Sequence, residues 1–168
     1  MEGLPLAVVD ERVERQGRIV YREVPPDPKA VEKAARDGLR AKIRCGGKKI
    51  PLSWPELAIF IDSCRSNGVI FKATAGLHHA FTASDESEFG FVNLLAACVF
   101  AGHESGVLLT SEIRLDERGL HASGVFARDE DLFADGETCA RVRRELFASI
   151  GSCSFAEPIG ELKVLGIL

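Results

Sequence analysis

The stretch AKIRCG at residues 41–46 decides the fold, because its pattern returns as FKATAG at residues 71–76. Each copy runs apolar, lysine, apolar, polar, small, glycine, and each follows a predicted helix and a glycine, Gly38 or Gly68. Side chains alternate between the two faces of a strand. Both copies are therefore predicted to be strands with apolar residues on one face and a lysine, Lys42 or Lys72, on the other. An internal repeat of this kind predicts two copies of one βα unit.

The elements predicted around this repeat alternate between strand and helix. Asp27 is the expected N-cap of the first helix, and Ser53 with Glu56 predicts a capping box at the start of the second. Strands are predicted at residues 4–9, 19–24, 39–45 and 69–74, helices at residues 28–37, 54–66 and 89–101, and a loop at residues 75–88. Beyond residue 102, the pattern favours a helix at residues 105–115, a strand at residues 120–127, a basic amphipathic helix at residues 139–149 and a last helical turn at residues 159–165.

This alternation predicts an α/β fold built from parallel βα units with right-handed crossovers. Two architectures fit: half of a TIM-like (β/α)₈ barrel, or a small open parallel sheet, since a full barrel needs about 250 residues. Residues 1–168 are expected to form a single domain. Within it, residues 1–17 are expected to be weakly structured, and residues 151–168 to form a tail that packs on the domain. A half-barrel completed by a second copy would make the protein a homo-oligomer.

Composition narrows the class of protein. The net charge of −4 argues against a general nucleic-acid binder. No apolar run reaches the roughly 20 residues that span a bilayer, and the N-terminus lacks the features of a signal peptide. A cytoplasmic protein without a membrane partner is expected. The five cysteines show no CxxC spacing, which predicts neither a disulfide framework nor a cysteine metal site, and no motif calls for a cofactor.

The lysine-bearing faces of the two strands are the first candidate site. Lys42 shares its face with Arg44, and Lys72 shares its face with Thr74. Cations on a sheet face need counter-charges, a ligand or water, although a lysine near a strand end can also reach solvent along its own stem. If the strands are neighbours, the two lysines lie about 5 Å apart at the backbone, and the like charge lowers the pKa of a lysine toward a base or a Schiff-base nucleophile. The glycines expected to shape an anion-accepting rim after the strands are Gly46, Gly47 and Gly76.

A second candidate cluster follows the second copy of the repeat. His78 and His79 are adjacent on a predicted loop, where histidines bind metal, move protons or hold an anion, or simply lie on the surface. His78 is the predicted proton-transfer residue and His79 a predicted substrate contact. Asn93, in an apolar helix, either donates its amide to the site or satisfies a backbone group. Ser152 belongs to a run, GSCSF, that either forms an anion nest or is an ordinary turn.

Three motifs resemble a family of bacterial proteins of unknown function. They are FKATAGLHH at residues 71–79, GFVNLL at residues 90–95, and GSCSFAEP at residues 151–158 followed by LKVLGIL. The resemblance extends from about residue 39 to the end. It implies that this chain corresponds to the carboxyl-terminal part of a larger α/β fold, or to a short variant, and it implies no activity.

The segment KATAG at residues 72–76 also resembles the barrel aldolases that form Schiff bases, which place a lysine on a strand before a Thr/Gly loop. That resemblance implies that Lys72 is the nucleophile and that Lys42 lowers its pKa.

Three functions therefore stay open on the sequence. The first is an enzyme acting on a small anionic metabolite, with Lys72, Lys42 and His78 as catalytic residues and lyase chemistry as its sharpest form. The second is a non-catalytic module that binds a ligand or self-associates. The third is a metal-dependent hydrolase that uses His78 and His79.

Overall fold

The computed structural model describes residues 7–8, 19–47, 52–82, 88–100, 109, 113–115, 125–127 and 132–164. Its main sheet contains five parallel strands: Ala7–Val8 (β1), Val20–Glu23 (β2), Arg40–Arg44 (β3), Phe71–Thr74 (β4) and Phe147–Gly151 (β8). A separate antiparallel sheet contains Ile113–Leu115 (β5), Val125–Ala127 (β6) and Leu132–Ala134 (β7). The helices that we label are Pro28–Arg36 (α1), Trp54–Ser66 (α2), Phe91–Val99 (α3), Gly136–Glu145 (α4) and Ala156–Val164 (α5).

Local sequence signals explain where the first two helices begin. The Asp27 side chain accepts a hydrogen bond from the backbone N–H of Lys29, as an N-cap does. Ser53 and Glu56 form the expected capping box, in which each side chain accepts from the other residue's backbone N–H. Both caps predicted from the sequence are confirmed.

The main sheet is wound in one direction. Its strand order, β1-β2-β3-β4-β8, follows the order of the chain. Crossovers between parallel strands of one sheet are right-handed as a general rule. A right-handed step that always moves the same way places every crossover helix on one face. Consistently, α1 packs on α2, α2 on α3 and α3 on α4. This is the winding of a barrel segment, yet the sheet ends at β1 and β8 and is open among the described residues. The predicted α/β fold of parallel βα units is confirmed.

The core lies between the sheet and this row of helices. Ala41, Ile43, Phe71 and Ala73 are fully buried on the helix side of the two repeat strands. The Phe71 ring meets Phe60 of α2 edge-on, with ring centres 5.1 Å apart, and stacks on Phe147 of β8 at 5.2 Å. Aromatic pairs at these distances stabilise the fold by more than their buried area accounts for. Phe71 therefore holds both α2 and β8 against strand β4.

The two copies of the repeat are direct neighbours in matching register. Ala41 lies opposite Phe71, and Lys42 lies opposite Lys72. At the strand ends, a Cβ placed on Gly46 would lie 2.8 Å from the Cα of Gly76, and the converse distance is also 2.8 Å. Gly76 in addition has a positive φ of 67°. Glycine is required at both positions because the two backbones touch there.

Two predictions between residues 105 and 127 need correction. Leu109 is helical, but the predicted helix at residues 105–115 is wrong at its end, since Ile113–Leu115 is strand β5. The predicted strand at residues 120–127 is present as Val125–Ala127, but it pairs antiparallel with β5 and β7 and does not join the parallel sheet. Cross-strand pairing with distant segments outweighs local propensity here. The rest of both ranges lies outside the described residues.

The predicted helix at residues 139–149 is also wrong in its second half. Helix α4 ends at Glu145, and Phe147 begins strand β8, which pairs with β4. The apolar spacing of Val142, Leu146 and Phe147 is compatible with a helix, but the stacking of Phe147 on Phe71 commits this segment to the sheet. Of the predicted N-terminal segment, only β1 is described; of the C-terminal tail, residues 151–164 are described and include α5.

The contact between Gly46 and Gly76 leads to a stability prediction. We expect Gly46→Ala to lower the free energy of unfolding by about 1–3 kcal/mol, because the added Cβ would lie against backbone that cannot rotate away. Urea denaturation measures this change. Gly160→Ala is the matched control, since nothing lies within 4 Å of its Cβ position in α5, and it should stabilise by about 0.5–1 kcal/mol. A Gly46→Ala variant as stable as the wild type would show that the two strand ends are not in contact.

Candidate functional site

The face of the sheet opposite the crossover helices carries a set of polar and aromatic side chains. Neighbouring residues in a parallel register point to the same side, and the register places Tyr21 opposite Arg40, Glu23 opposite Lys42, and Lys42 opposite Lys72. We call this set the lysine face. Its members are Tyr21, Glu23, Arg40, Lys42, Arg44, Lys72, Thr74 and Ser149.

The two lysines of this face are buried but differ in their partners. Lys42 is 7% exposed and Lys72 is 5% exposed. Lys42 forms an ion pair with Glu23. Lys72 has no carboxylate within ion-pair distance among the described residues, and its Nζ lies 4.9 Å from the ring centre of Tyr21. Burial, and secondarily the charge of Lys42, lowers the pKa of Lys72 below that of an ordinary lysine.

Tyr21 also organises a third cation. The guanidinium of Arg40 lies 5.8 Å from the Tyr21 ring centre, and its Nη1 donates a hydrogen bond to the Tyr21 hydroxyl at 3.2 Å. The chain's single tyrosine therefore lies beside both Arg40 and Lys72. With Arg44, the lysine face carries four cations and one carboxylate among the described residues, an excess of three positive charges.

A hydroxyl on this face lacks a partner. Ser149 lies opposite Lys72 on strand β8, after a register shift between Phe71 and Lys72. Its Oγ is buried and has no hydrogen-bond partner among the described residues. Leaving a buried hydroxyl unpaired costs about 1–3 kcal/mol, and such groups in native proteins often await a ligand or water.

The remaining predicted residues of this site lie at the strand ends. Thr74 Oγ1 donates a hydrogen bond to the carbonyl oxygen of Ile43 at 3.2 Å, which links β4 to β3. A Cβ placed on Gly47 would lie 3.1 Å from Nη2 of Arg44, so the glycine leaves room for that guanidinium. Gly46 and Gly76 contact each other. The geometry thus brings the predicted residues of both strands together at one end of the sheet.

The histidine pair forms a second cluster just beyond the end of β4. Nδ1 of His78 and Nε2 of His79 lie 3.1 Å and 3.9 Å from the same oxygen, Oε2 of Glu88. The contact between His78 and Glu88 is within ion-pair distance, but its angles do not meet those of a hydrogen bond. Oε2 of Glu88 is buried and has no hydrogen-bond partner among the described residues. On its other side, Nε2 of His78 lies 3.2 Å from Sγ of Cys153.

Helix α5 fastens this loop through Glu161. One carboxylate oxygen lies 2.5 Å from Nδ1 of His79, and the other accepts a hydrogen bond from the backbone N–H of Ala80 at 2.7 Å. The hydrogen bond with Glu161 raises the pKa of His79, with further contributions from the charges of Glu161, Glu88 and Glu157. The C-terminal helix therefore holds the histidine loop by a charge-assisted contact.

Asn93 and Ser152 lie in local networks. Oδ1 of the buried Asn93 accepts a hydrogen bond from the backbone N–H of Thr82, whose own Oγ1 donates to the carbonyl of Leu109. Asn93 thus satisfies a backbone group of the loop, one of the two roles the sequence left open. Ser152 Oγ accepts from the backbone N–H of Ser154 at 3.4 Å, in the turn between β8 and α5. Neither contact tests whether these residues bind substrate.

Sequence reasoning missed several members of both clusters. The alternation in residues 19–24 was a usable signal for Tyr21 and Glu23, because it places them together on one face of a strand. Ser149 gave no signal, since its segment was predicted to be helical. No histidine lies near Cys153 along the chain, and the fold alone brings His78 into contact with it.

A cavity of about 250 Å³ lies at the opposite end of the sheet. Gly68 and Leu146, which line it, come just before β4 and β8, whereas the histidine cluster comes after β4. Its two arginines are engaged: Arg65 contacts Asp62 and donates to the carbonyls of Ala97 and Cys98, and Arg141 pairs with Glu145. It contains none of the predicted site residues.

Comparison with models of protein families, with curated proteins and with solved structures found no match. The family and aldolase resemblances therefore stay predictions. Across the described ranges, no three His, Cys, Asp or Glu side chains converge in a way that could hold a metal ion. In the same part of the chain, no helix has the length and apolarity needed to cross a membrane.

The contact of His79 with Glu161 predicts a pH-dependent stability. A histidine whose pKa is raised by folding stabilises fully below its unfolded pKa of about 6.5, and this contribution is lost as pH rises through the folded pKa. We therefore expect His79→Gln to lose more stability at pH 6 than at pH 9, as measured by urea denaturation. Glu161→Gln is the matched partner, and the double variant should lose little more than either single one. An equal loss at both pH values would show that the contact is not ionic.

Proposed function

We propose that the protein is an enzyme that binds a small anionic carbonyl compound on the lysine face and that Lys72 is its amine nucleophile. The observation that carries this proposal is the buried Lys72, which lies opposite Lys42 in register and has no carboxylate partner among the described residues. Ion pairing would keep an amine protonated, and none of the carboxylates that the structure describes pairs with Lys72. A buried amine with a lowered pKa can attack a carbonyl carbon.

The charge balance of the face supports an anionic substrate. Lys42 and Lys72 are buried and Arg40 and Arg44 are half-buried, so an excess of cations over Glu23 is unfavourable without a counter-charge. A phosphate or carboxylate group placed near Arg44 and Lys42 would supply the missing charge. Gly47 lies beside Arg44, and because it has no side chain it leaves room for the guanidinium.

Ser149 supports the position of the reacting group. Its unpaired Oγ lies opposite Lys72, so it can hydrogen-bond a carbonyl or hydroxyl oxygen of a substrate bound at Nζ. Tyr21, on the other side of Lys72, offers a ring face to the ammonium before reaction and a hydroxyl that already accepts from Arg40. In the proposed step, unprotonated Nζ adds to the carbonyl carbon, water leaves, and a C=N bond forms. Lyase chemistry through this imine is the sharpest form of the proposal.

Trapping with borohydride tests the nucleophile. We expect a panel of small aldehydes and ketones, with and without phosphate or carboxylate groups, to give a reduced adduct on Lys72 that mass spectrometry locates. Members with an anionic group should react at lower concentration, because the face is cationic. Lys72→Arg should abolish the adduct while keeping the charge, and the control Lys42→Arg should retain it.

The outcome of the same experiment separates the alternatives. Absence of any adduct on Lys72 would remove the imine mechanism. If anions then still raised the melting temperature, the lysine face would be the ligand site of a non-catalytic module. The homo-oligomer predicted from the sequence stays a prediction that light scattering can test.

A functional lysine in this position should reduce stability. We expect Lys72→Met to raise the free energy of unfolding at pH 7 by about 1 kcal/mol, since an apolar group replaces a buried cation without a carboxylate. Between the lowered folded pKa of Lys72 and the unfolded value of about 10.4, the unfolded state binds more protons, so wild-type stability rises with pH. The variant should lack that rise. Urea denaturation across this range measures both effects.

Lys29→Met is the matched control for this stability change. Lys29 lies exposed on α1, so its replacement should change stability by less than about 0.5 kcal/mol. A loss of stability in Lys72→Met would mean that the ammonium is satisfied in the fold and is held there for structural reasons.

A further inference from the structure

The turn after β8 brings a thiol into contact with the histidine loop. Cys153 is the one exposed cysteine of the five, while Cys45, Cys64, Cys98 and Cys139 are buried. Its Sγ lies 3.2 Å from Nε2 of His78, and the other ring nitrogen of His78 lies 3.1 Å from Glu88. These three groups come from three separate segments: the loop after β4, the segment that leads into α3, and the turn after β8.

We propose that Cys153, His78 and Glu88 form a nucleophilic site for acyl transfer, separate from the lysine face. The arrangement matches the general requirements of such a site: a nucleophile in contact with a base, and the base in contact with a carboxylate through its other nitrogen. Once aligned with Nδ1 of His78, Glu88 selects the tautomer in which Nδ1 carries the proton, which leaves Nε2 free to accept the proton of the thiol. The Glu88 contact needs a small rotation to align, as is common before substrate binds.

The reaction balances with an ester or thioester and water as the reactants. Nε2 of His78 takes the thiol proton as Sγ bonds to the acyl carbon, and the leaving alcohol or thiol departs with that proton. Water then attacks the thioester on Cys153, the C–S bond breaks, a carboxylic acid leaves, and the thiol regains its proton. No oxidant, metal or further co-reactant is consumed.

The charges around the cluster set its substrate class. Besides Glu88, Glu161 contacts His79. A hydrogen bond with Ser154 is the main cause that lowers the pKa of Glu157, and the charges of His78 and His79 contribute less, so Glu157 is a third carboxylate near the histidine pair. An anionic acyl group would be repelled there. The site should therefore accept neutral or cationic acyl groups, in contrast with the lysine face.

The buried thiols give an internal reference for reactivity. Burial raises the pKa of Cys64 to about 12, and burial likewise raises the pKa values of Cys98 and Cys139. These thiols should stay unmodified in the folded protein. Any rapid modification can then be assigned to Cys153 by mass spectrometry.

Alkylation tests the nucleophile and the base. We expect neutral iodoacetamide to label Cys153 at pH 7 at least about tenfold faster than it labels an unstructured cysteine peptide, and anionic iodoacetate to react more slowly than iodoacetamide. His78→Ala should lower the rate by about tenfold or more, and Glu88→Gln should lower it less, because it orients the base. Circular dichroism checks that each variant folds. The pH profile of the wild type reports the whole cluster, including His79, Glu157 and Glu161.

Acylation tests the reaction class. A neutral p-nitrophenyl acetate should leave a transient acetyl thioester on Cys153, detected by a mass increase that Cys153→Ser lacks, and an ester with a carboxylate on its acyl group should react more slowly. Labelling at the rate of the free peptide, no effect of His78→Ala, or fast alkylation without acylation would each overturn the proposal. Lys72 trapping should persist in Cys153→Ser, so failure here is distinguishable from failure of the lysine-face proposal.

Discussion

Lys42 and Lys72 lie opposite each other on neighbouring strands of a parallel sheet, and both are nearly fully buried. Hydrogen bonding between strands fixes this proximity, so the rest of the face has to accommodate two ammonium groups. Glu23 neutralises one of them. The other meets only the ring of Tyr21 among the described residues, and its pKa falls as a result of burial and of its neighbour. The two lysines occupy equivalent positions in the repeat but differ in their partners, since one has a carboxylate and the other an aromatic ring.

The same register explains why the loops after the strands are rich in glycine. Once Ala41 lies opposite Phe71, the two strands end side by side, and Gly46 and Gly76 touch backbone to backbone. From the sequence alone, these glycines predict a rim that accepts an anion. Their first role is to let the two copies of the repeat end at the same height. The rim they form is therefore a consequence of the packing of the two strands.

Much of the sheet could be predicted because its signals are local or repeated. The matching pattern in residues 41–46 and 71–76 predicts how β3 and β4 align with each other, and the caps at Asp27 and Ser53 predict where two helices begin. What failed depended on contacts distant in sequence. The spacing around Phe147 predicts a helix, but the stacking of its ring on Phe71 places this segment in the sheet. Because the segment was predicted to be helical, Ser149 could not be predicted as a neighbour of Lys72. His78 and Cys153 belong to one cluster only because β4 and β8 are adjacent, which no spacing along the chain reveals.

Strands β4 and β8 contribute residues to the lysine face, and the loops that follow these strands contribute residues to the histidine cluster. Lys72 lies on β4 and His78 in the loop that follows it, whereas Ser149 lies on β8 and Cys153 in the turn that follows it. Lys72 and Ser149 lie on a face with excess positive charge, whereas His78 and Cys153 lie near three carboxylates. The two clusters therefore differ in the sign of their surrounding charge, although the same two strands and the loops after them supply residues to both.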